Sequence, residues 1–158
     1  LMEIRAAQLP MEDLDVQAVE SMYAAKTGSY SFALPVRMAF GLCEGEGLFP
    51  FDRFGKHAGI AYQLKNDCDG LGQWLNGGRV PDDLRDRRRI WGVVHAWQAA
   101  DEDGRALLAA EPGDSLREVF RRAGTVEAMG EAIRHHAGLA LECVKDPAMK
   151  SFAASVLA

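Results

Sequence analysis

A lysine, a glutamine and a short run of amide and acidic side chains occur in an order that suits the binding of a diphosphate. Lys26 comes first, and Gln63 follows it with Asn66, Asp67 and Asp69 close behind. Carboxylates hold Mg²⁺ through hard oxygen ligands, and a lysine neutralises phosphate charge that the metal does not reach. If helices bring these side chains to one cavity, the chain can hold a metal-chelated diphosphate.

Helical periodicity dominates the elements that must position these residues. No segment shows sustained strand alternation, Val, Ile and Thr are sparse, and Ala, Leu, Arg and Glu abound. We therefore predict an all-α fold, with residues 1–158 as one domain. Gly70 and Gly72 are expected to begin a loop that ends at Pro81, and Pro35 is expected to kink or break the first helix. The predicted helices cover residues 12–42, 51–69, 83–100, 115–123, 125–143 and 146–157.

The composition argues against several classes of protein. The chain has 158 residues, 48% of them apolar, and a formal net charge of −5, which is a poor basis for nucleic-acid binding. No apolar run approaches the ~20 residues that span a bilayer. Cys43, Cys68 and Cys143 are odd in number and lack metal-binding spacing, so we expect reduced thiols in a cytoplasmic protein. His135 and His136 are neighbours on a predicted helix, which favours a solvated or structural role over metal binding.

Four polar or small positions near the end of the second predicted helix share one face. Gln63, Asn66, Asp67 and Gly70 recur at i, i+3, i+4 and i+7. A polar stripe of this kind either faces solvent or lines a site. The spacing alone favours solvent.

Three segments carry a family resemblance. Residues 26–35 read K-T-G-S-Y-S-F-A-L-P, residues 59–70 read G-I-A-Y-Q-L-K-N-D-C-D-G, and residues 78–94 read G-R-V-P-D-D-L-R-D-R-R-R-I-W-G-V-V. In this order they resemble the C-terminal half of trans-prenyl diphosphate synthases, especially the farnesyl diphosphate synthase type. The resemblance covers residues 1 to about 110 well, and implies the C-terminal half of an isoprenoid-synthase-type helical bundle.

The resemblance also implies roles for individual residues. The family's K-T-x-x-Y-S-F-x-L-P segment places a lysine on the diphosphate of the allylic substrate, and residues around the threonine line the prenyl pocket. The family's G-K-x-x-x-D-x-x-D-x-K-x-x-W segment places two lysines on diphosphate, where this chain has arginines. The implied catalytic residues are Lys26, Thr27 and Gln63. The implied substrate-binding residues are Lys26, Tyr30, Tyr62, Gln63, Arg79 and Arg88, and the implied Mg²⁺ ligands are Asn66 and Asp67.

The second segment departs from the family's G-x-x-F-Q-x-x-D-D-x-x-D motif at two carboxylates. Asn66 replaces the first aspartate, Asp67 keeps the second, and Gly70 replaces the last. Each loss removes a hard anionic ligand, so any Mg²⁺ site is weakened. The Asn-Asp pair also resembles the start of the terpene cyclase motif N-D-x-x-S-x-x-x-E, but Gly70 and Trp74 fit neither later position.

Residues 82–86 read D-D-L-R-D, which is a literal D-D-x-x-D. In the family the first aspartate motif has this wording, yet it precedes the K-T segment, and its paired arginines lie several residues later. Here the wording follows the K-T segment, with arginines immediately adjacent. We therefore interpret these residues as helix capping in the register of the third segment, with Asp82 or Asp83 as N-cap.

The resemblance implies a site that this sequence does not complete. The sequence does not contain the first aspartate motif or the basic C-terminal tail of the family. We predict the C-terminal half or subunit of a split prenyl diphosphate synthase, which condenses an allylic diphosphate with isopentenyl diphosphate. Its partner chain would supply the first D-D-x-x-D in a heteromer, and the chain would be a prenyltransferase only in that complex. The alternatives are a non-catalytic regulatory subunit and a diverged class I terpene cyclase fragment.

Overall fold

A computed structural model describes residues 9–42, 49–110 and 112–157. Every regular element within these ranges is a helix, which confirms the all-α prediction. A 3₁₀ turn, Met11–Asp13, precedes them. The helices are α1 (Val16–Tyr23), a π-helix (Ala24–Ala33), α2 (Leu34–Leu42), α3 (Phe51–Leu75), α4 (Asp82–Arg85), α5 (Trp91–Ala99), α6 (Glu102–Ala109), α7 (Asp114–Arg122), α8 (Thr125–Glu142) and α9 (Pro147–Leu157).

The chain forms two compact units, each assembled from separate stretches of sequence. The first unit contains Leu1–Glu20 and Lys65–Gly130, and the second contains Ser21–Leu64 and Glu131–Ala158. In the first unit, the Trp74 and Phe120 rings meet edge to face in the core with centroids 5.9 Å apart. The prediction of one domain over residues 1–158 stays a prediction.

The core of the second unit is an apolar cluster shared by α3 and the end of α8. Two of the three buried members that α3 contributes to this cluster are alanines, whose small side chains suit close packing of helices. The buried members are Phe54, Ala58 and Ala61 from α3 and Ala140, Cys143 and Val144 from α8 and the residues after it.

The segment predicted as one helix over 12–42 is helical from Val16 but changes type along its length. Asp15 caps its start, because its carboxylate accepts a 2.7 Å hydrogen bond from the Ala18 N–H. The backbone widens into the π-helix and returns to α geometry at Leu34, directly before Pro35. The change of helix type therefore takes the place of the break expected at the proline.

Helix α3 continues six residues beyond its predicted end, through both glycines that were expected to form a loop. Leu71, Trp74 and Leu75 on this extension are buried, and their burial outweighs the ~1 kcal/mol by which each glycine disfavours a helix. The helix ends instead at Leu75, and the chain turns at Gly77, whose φ is 90°.

The helix predicted over 83–100 is two helices, α4 and α5, separated by the arginine run. The Arg87 N–H donates to the Leu84 carbonyl at 3.1 Å, and the Arg88 N–H donates to the Asp83 carbonyl at 2.8 Å. These two bonds form a Schellman motif, with Arg87 in the left-handed position (φ 54°) that glycine usually occupies. Because arginine is a good helix former, the sequence carried no signal for this stop.

The last three predicted helices are confirmed within one or two residues as α7, α8 and α9, with Pro147 at the first position of α9. Helix α6 was not predicted, although Asp101 caps it by accepting a 2.9 Å hydrogen bond from the Gly104 N–H. Among the described residues, no helix combines the length and apolar character needed to cross a membrane.

Candidate functional site

A hydrogen bond joins the first and second resemblance segments. The Gln63 side-chain amide donates to the Thr27 hydroxyl oxygen at 2.6 Å, across 36 positions of sequence. Thr27 is only 5% exposed, and Gln63 is half-buried. The two residues that were predicted to act together therefore do contact each other, and each restricts the rotamers of the other.

Three glycines allow the π-helix and α3 to approach closely enough for this contact. A Cβ at Gly59 would lie 2.4 Å from the Gly28 Cα, and a Cβ at Gly28 would lie 2.6 Å from the Gly55 carbonyl oxygen. Real Cβ atoms do not approach backbone atoms this closely, so none of these positions accepts a side chain without separating the helices. Gly55 and Gly59 are four residues apart and thus share the packed face of α3.

Lys26, Thr27 and Tyr30 all lie in the π-helix. Its wider turn is visible at its end, where the Leu34 N–H donates to the Ser29 carbonyl five residues earlier. Such widened helices are rare and occur often at functional sites. Lys26 is exposed at the surface of this helix.

The two tyrosines that were predicted to bind substrate lie at the surface of the second unit. Tyr30 is 76% exposed and lines a groove of about 380 Å³ together with Leu34, Arg37 and Asp52. Tyr62 is 41% exposed and its ring contacts Phe32 edge to face, with centroids 5.8 Å apart. Tyr62 lies on the outward side of α3, between the buried Ala61 and the half-buried Gln63.

The predicted metal ligands lie near the middle of α3. Asn66 is exposed and Asp67 is half-buried. The neighbouring Asp69 forms an ion pair with Lys65 at 3.7 Å. Within the described ranges, no three His, Cys, Asp or Glu side chains cluster as a metal site would require.

The third resemblance segment is an arginine–aspartate network in the first unit. Asp82 accepts hydrogen bonds from Arg79 at 2.9 Å and from Arg85 at 2.6 Å. Arg88 pairs with Asp83 at 3.0 Å. The residue that caps α4 is Pro81, with no side-chain bond, so the expectation that Asp82 or Asp83 is the N-cap is wrong. The carboxylates of the D-D-x-x-D sequence at residues 82–86 form ion pairs with arginines instead.

The arginine run following α4 borders a cavity of about 320 Å³ in the first unit. Arg87, Arg88 and Arg89 line it on one side, and apolar residues such as Trp97 and Phe120 line it on another. Between residues 79 and 89 the chain carries five arginines and three aspartates, so this segment is locally positive in a chain whose net charge is −5.

The predicted site residues divide between the two units. Lys26, Thr27, Tyr30, Tyr62 and Gln63 belong to the second unit, where the Gln63–Thr27 bond is the direct contact. Asn66, Asp67, Arg79 and Arg88 belong to the first. The convergence of the cations on one diphosphate stays a prediction.

One pair of ionisable side chains was missed by the sequence reasoning. His57 on α3 and His136 on α8 face each other with their Nδ1 atoms 2.9 Å apart. His136 is buried and His135 is exposed, which confirms that the two neighbours point to different faces. Position 57 carried no signal, because a single histidine on a helix does not reveal its partner.

The comparisons with known proteins agree with this helical architecture. Over 99% of the chain, the fold matches a geranylgeranyl pyrophosphate synthase from Corynebacterium glutamicum, crystallised with isoprenyl diphosphate and magnesium (TM-score 0.78, 19% identity, 48% of that chain). It also matches a polyprenyl synthetase from Streptomyces coelicolor (TM-score 0.71, 22% identity, 52% of that chain). The class of fold is therefore that of the helical prenyl synthases.

The sequence gives the family directly. A model of the polyprenyl synthetase family matches residues 1–122. A geranylgeranyl pyrophosphate synthase from Schizosaccharomyces pombe is 27% identical over 122 residues, which covers 75% of this chain and 35% of that protein. The chain belongs to the polyprenyl synthetase family. It spans about half the length of the solved structures that it matches and about a third of the curated relative.

Proposed function

We propose that this chain forms the diphosphate-binding and prenyl-binding half of a prenyl diphosphate synthase that condenses an allylic diphosphate with isopentenyl diphosphate. The observation that carries the proposal is the Gln63–Thr27 hydrogen bond. This bond joins two segments that both resemble motifs of the family, and the neighbouring residue Lys26 is exposed. A purely structural contact would not need an exposed lysine and a tight glycine approach at the same place.

The reaction breaks the C–O bond of the allylic diphosphate, and the diphosphate leaves with the bonding electrons. The isopentenyl double bond attacks the resulting carbon cation, and the new cation then loses a proton to the released diphosphate, which restores a double bond. Charge develops on the leaving oxygen, and cations fixed near it stabilise the transition state. In the second unit Lys26 offers a point charge for this role, and in the first unit the planar forks of Arg79 and Arg88 match phosphate oxygens. Gln63 and Thr27 hold the wall of the site in one geometry.

The arginines are available for this role despite their aspartate partners. The side chains of the Arg79–Asp82 pair are 77% and 62% exposed, and exposed ion pairs contribute only ~0–1 kcal/mol. A diphosphate carries more charge than one carboxylate and accepts bidentate bonds. Exchange of the carboxylate for phosphate therefore costs little at Arg79. Arg88 pairs with both Asp83 and Asp86, and the Asp83 side chain is only 33% exposed, so the exchange costs more there.

The residues of α3 fit a magnesium ion only as part of its coordination. Mg²⁺ takes six oxygen ligands, and in phosphate-transferring sites it usually keeps waters and uses one or two carboxylates with the substrate phosphate. Asp67 supplies one carboxylate, and Asn66 supplies a neutral amide oxygen. When bound, the metal would neutralise charge on the leaving diphosphate.

A partner chain is the second part of the proposal. Within the second unit, α2 presents exposed apolar side chains at four-residue spacing, Leu34, Met38 and Leu42, with Tyr30 four residues before them. Such a stripe on one helix face is typical of a surface that another protein covers. We expect the partner to cover it and to carry the first D-D-x-x-D. Phe54 is buried and does not contribute to this surface, and the side chain of Phe40 lies outside the described residues.

A regulatory subunit is the second candidate, and the substitutions in the aspartate motif favour it. Asn66 and Gly70 leave Asp67 as the remaining carboxylate in register. A subunit that shapes the product of a partner enzyme needs the prenyl groove but not the metal. The two functions differ in what Asp67 does for turnover.

Calorimetry with inorganic pyrophosphate and Mg²⁺, on the complex with the partner, tests the diphosphate role. We expect Lys26→Ala to weaken binding by about 1.5–3 kcal/mol, the scale of a charged hydrogen bond. Lys150→Ala is the matched control, because it removes an exposed lysine from α9. Equal affinities for the two variants would contradict the role of Lys26.

A further inference from the structure

We propose that His57 and His136 form an acid-sensitive latch that holds the C-terminal part of α8 against α3. This inference is independent of the proposed enzymatic function. The two rings stack at 29° with centroids 5.2 Å apart, and their Nδ1 atoms are 2.9 Å apart. The pair lies in the second unit, where His136 is buried and His57 is half-buried.

The contact between the two rings requires one proton and one lone pair. A neutral imidazole carries N–H at one nitrogen and a lone pair at the other, so one Nδ1 donates and the other accepts. If both rings are protonated, both Nδ1 atoms carry N–H and the acceptor is lost. Two cations would then face each other at hydrogen-bond distance, which is repulsive.

The charges around the pair reinforce this effect. Arg53 and Lys56 on α3 and His135 on α8 add positive potential, whereas Glu142 on α8 is engaged by Arg53 at 2.9 Å. The pKa of His57 is lowered to about 4, first by burial and then by the neighbouring positive groups, with His136 first among them. While the two rings are in contact, protonation of the His57 ring is therefore unfavourable.

Opening of the latch has a structural consequence. Phe54, Ala58 and Ala61 flank His57 on α3, and they pack against Ala140 and Cys143. This cluster consists mostly of small side chains, so it buries little area for each residue and offers limited resistance to separation. Loss of the latch would expose this apolar cluster and release the segment that leads into α9.

The sign of the pH dependence follows from proton uptake. The native state leaves His57 neutral down to about pH 4, whereas the open state binds a proton near the ordinary value of 6.5. The latch contributes its full stability above pH 6.5 and loses it as the pH falls towards 4. With a His57 pKa of about 4 in the closed state and 6.5 in the open state, the equilibrium constant for opening rises by at most about 20-fold between pH 7 and pH 5. Solvent screening at the half-buried His57 reduces this to several-fold.

The experiment measures urea unfolding of the full chain, with its partner where the complex requires one, at pH 7 and at pH 5. We expect His57→Gln to remove most of the several-fold pH effect, because glutamine hydrogen-bonds to His136 but does not titrate. His135→Gln is the matched control, since it removes an exposed histidine one position from the pair. Subtraction of the wild-type profile cancels the groups that titrate elsewhere.

Imidazole titration by NMR on the wild-type protein provides a second measurement that needs no variant. A His57 ring that stays neutral at pH 5 in the folded protein supports the latch. If His57 titrates near 6.5 without loss of structure, or if both glutamine variants keep the wild-type pH dependence, the proposal is wrong. If His57→Gln does not fold, His136→Gln is the second variant. It removes the charge of His136 but leaves His57 buried, so the pH effect should fall in part, and an unchanged pH effect would contradict the latch.

Discussion

A methyl group added to Gly59 is expected to destabilise the second unit, although alanine is the better helix former. Its Cβ would lie 2.4 Å from both the Cα and the N of Gly28. Both contacts are with backbone, so no side-chain rotation relieves them and the π-helix must move away from α3. Overpacking of this kind costs about 1–3 kcal/mol, occasionally more. We take the upper end because the obstacle is rigid.

Helix propensity opposes this effect by about 1 kcal/mol in favour of alanine. The net expectation for Gly59→Ala is a loss of about 2 kcal/mol in the free energy of unfolding. Gly72→Ala is the matched control, since Gly72 lies on the same helix and a Cβ there would meet nothing within 4 Å. It is expected to stabilise the protein by up to ~1 kcal/mol. The two identical substitutions should therefore have effects of opposite sign.

Urea denaturation followed by far-ultraviolet circular dichroism measures both variants against the wild type. The difference between them should be about 3 kcal/mol, which exceeds the uncertainty of linear extrapolation. Gly59→Ala should also weaken pyrophosphate binding, because displacement of the π-helix breaks the Gln63–Thr27 bond. If Gly59→Ala is as stable as Gly72→Ala, the close helix approach that forms the site is refuted.

Three further predictions concern the third segment, the thiols and the partner. Arg87→Gly should raise the free energy of unfolding by about 1 kcal/mol, because it removes the left-handed strain at the end of α4. Arg85→Gly, inside that helix, should lower the free energy of unfolding. Equal stability of the two variants in urea denaturation would contradict the Schellman motif. Burial raises the pKa of the Cys68 and Cys143 thiols, so both should react with iodoacetamide at pH 7.5 more slowly than free cysteine, as peptide mass spectrometry would measure. Met38→Glu on the exposed stripe should weaken co-purification of a partner chain, whereas Lys150→Glu on α9 of the same unit should not. Equal recovery of the partner would contradict the docking role of the stripe.

Local sequence signals predicted the helices wherever hydrophobic spacing and punctuation agreed. Helix α9 begins at Pro147, as its missing N–H favours, and Asp15 caps α1. The stop at Arg87 was hidden because arginine favours helix and only the tertiary path demands a left-handed residue there. The extension of α3 past Gly70 was hidden for the opposite reason, since burial of Trp74 overrides the glycine signal.

The candidate site was partly predictable. The resemblance placed Thr27 and Gln63 in one site, and the structure brings them to 2.6 Å. The resemblance did not explain how two helices could meet there, because the roles of Gly28 and Gly59 depend on distances that a single sequence does not contain. The His57–His136 contact was unpredictable for the same reason, since 79 positions separate the two rings.

The turnover of the assembled enzyme tests the central proposal most directly. Incorporation of labelled isopentenyl diphosphate into a longer prenyl diphosphate is measured for the wild-type complex, for Asp67→Ala and for the control Asp69→Ala, whose carboxylate pairs with Lys65. The proposal predicts turnover by the wild type, a loss of about 10²–10³-fold for Asp67→Ala, and a change of less than a few-fold for Asp69→Ala. Unchanged turnover with Asp67→Ala and an altered product length would contradict the catalytic proposal and support the regulatory subunit.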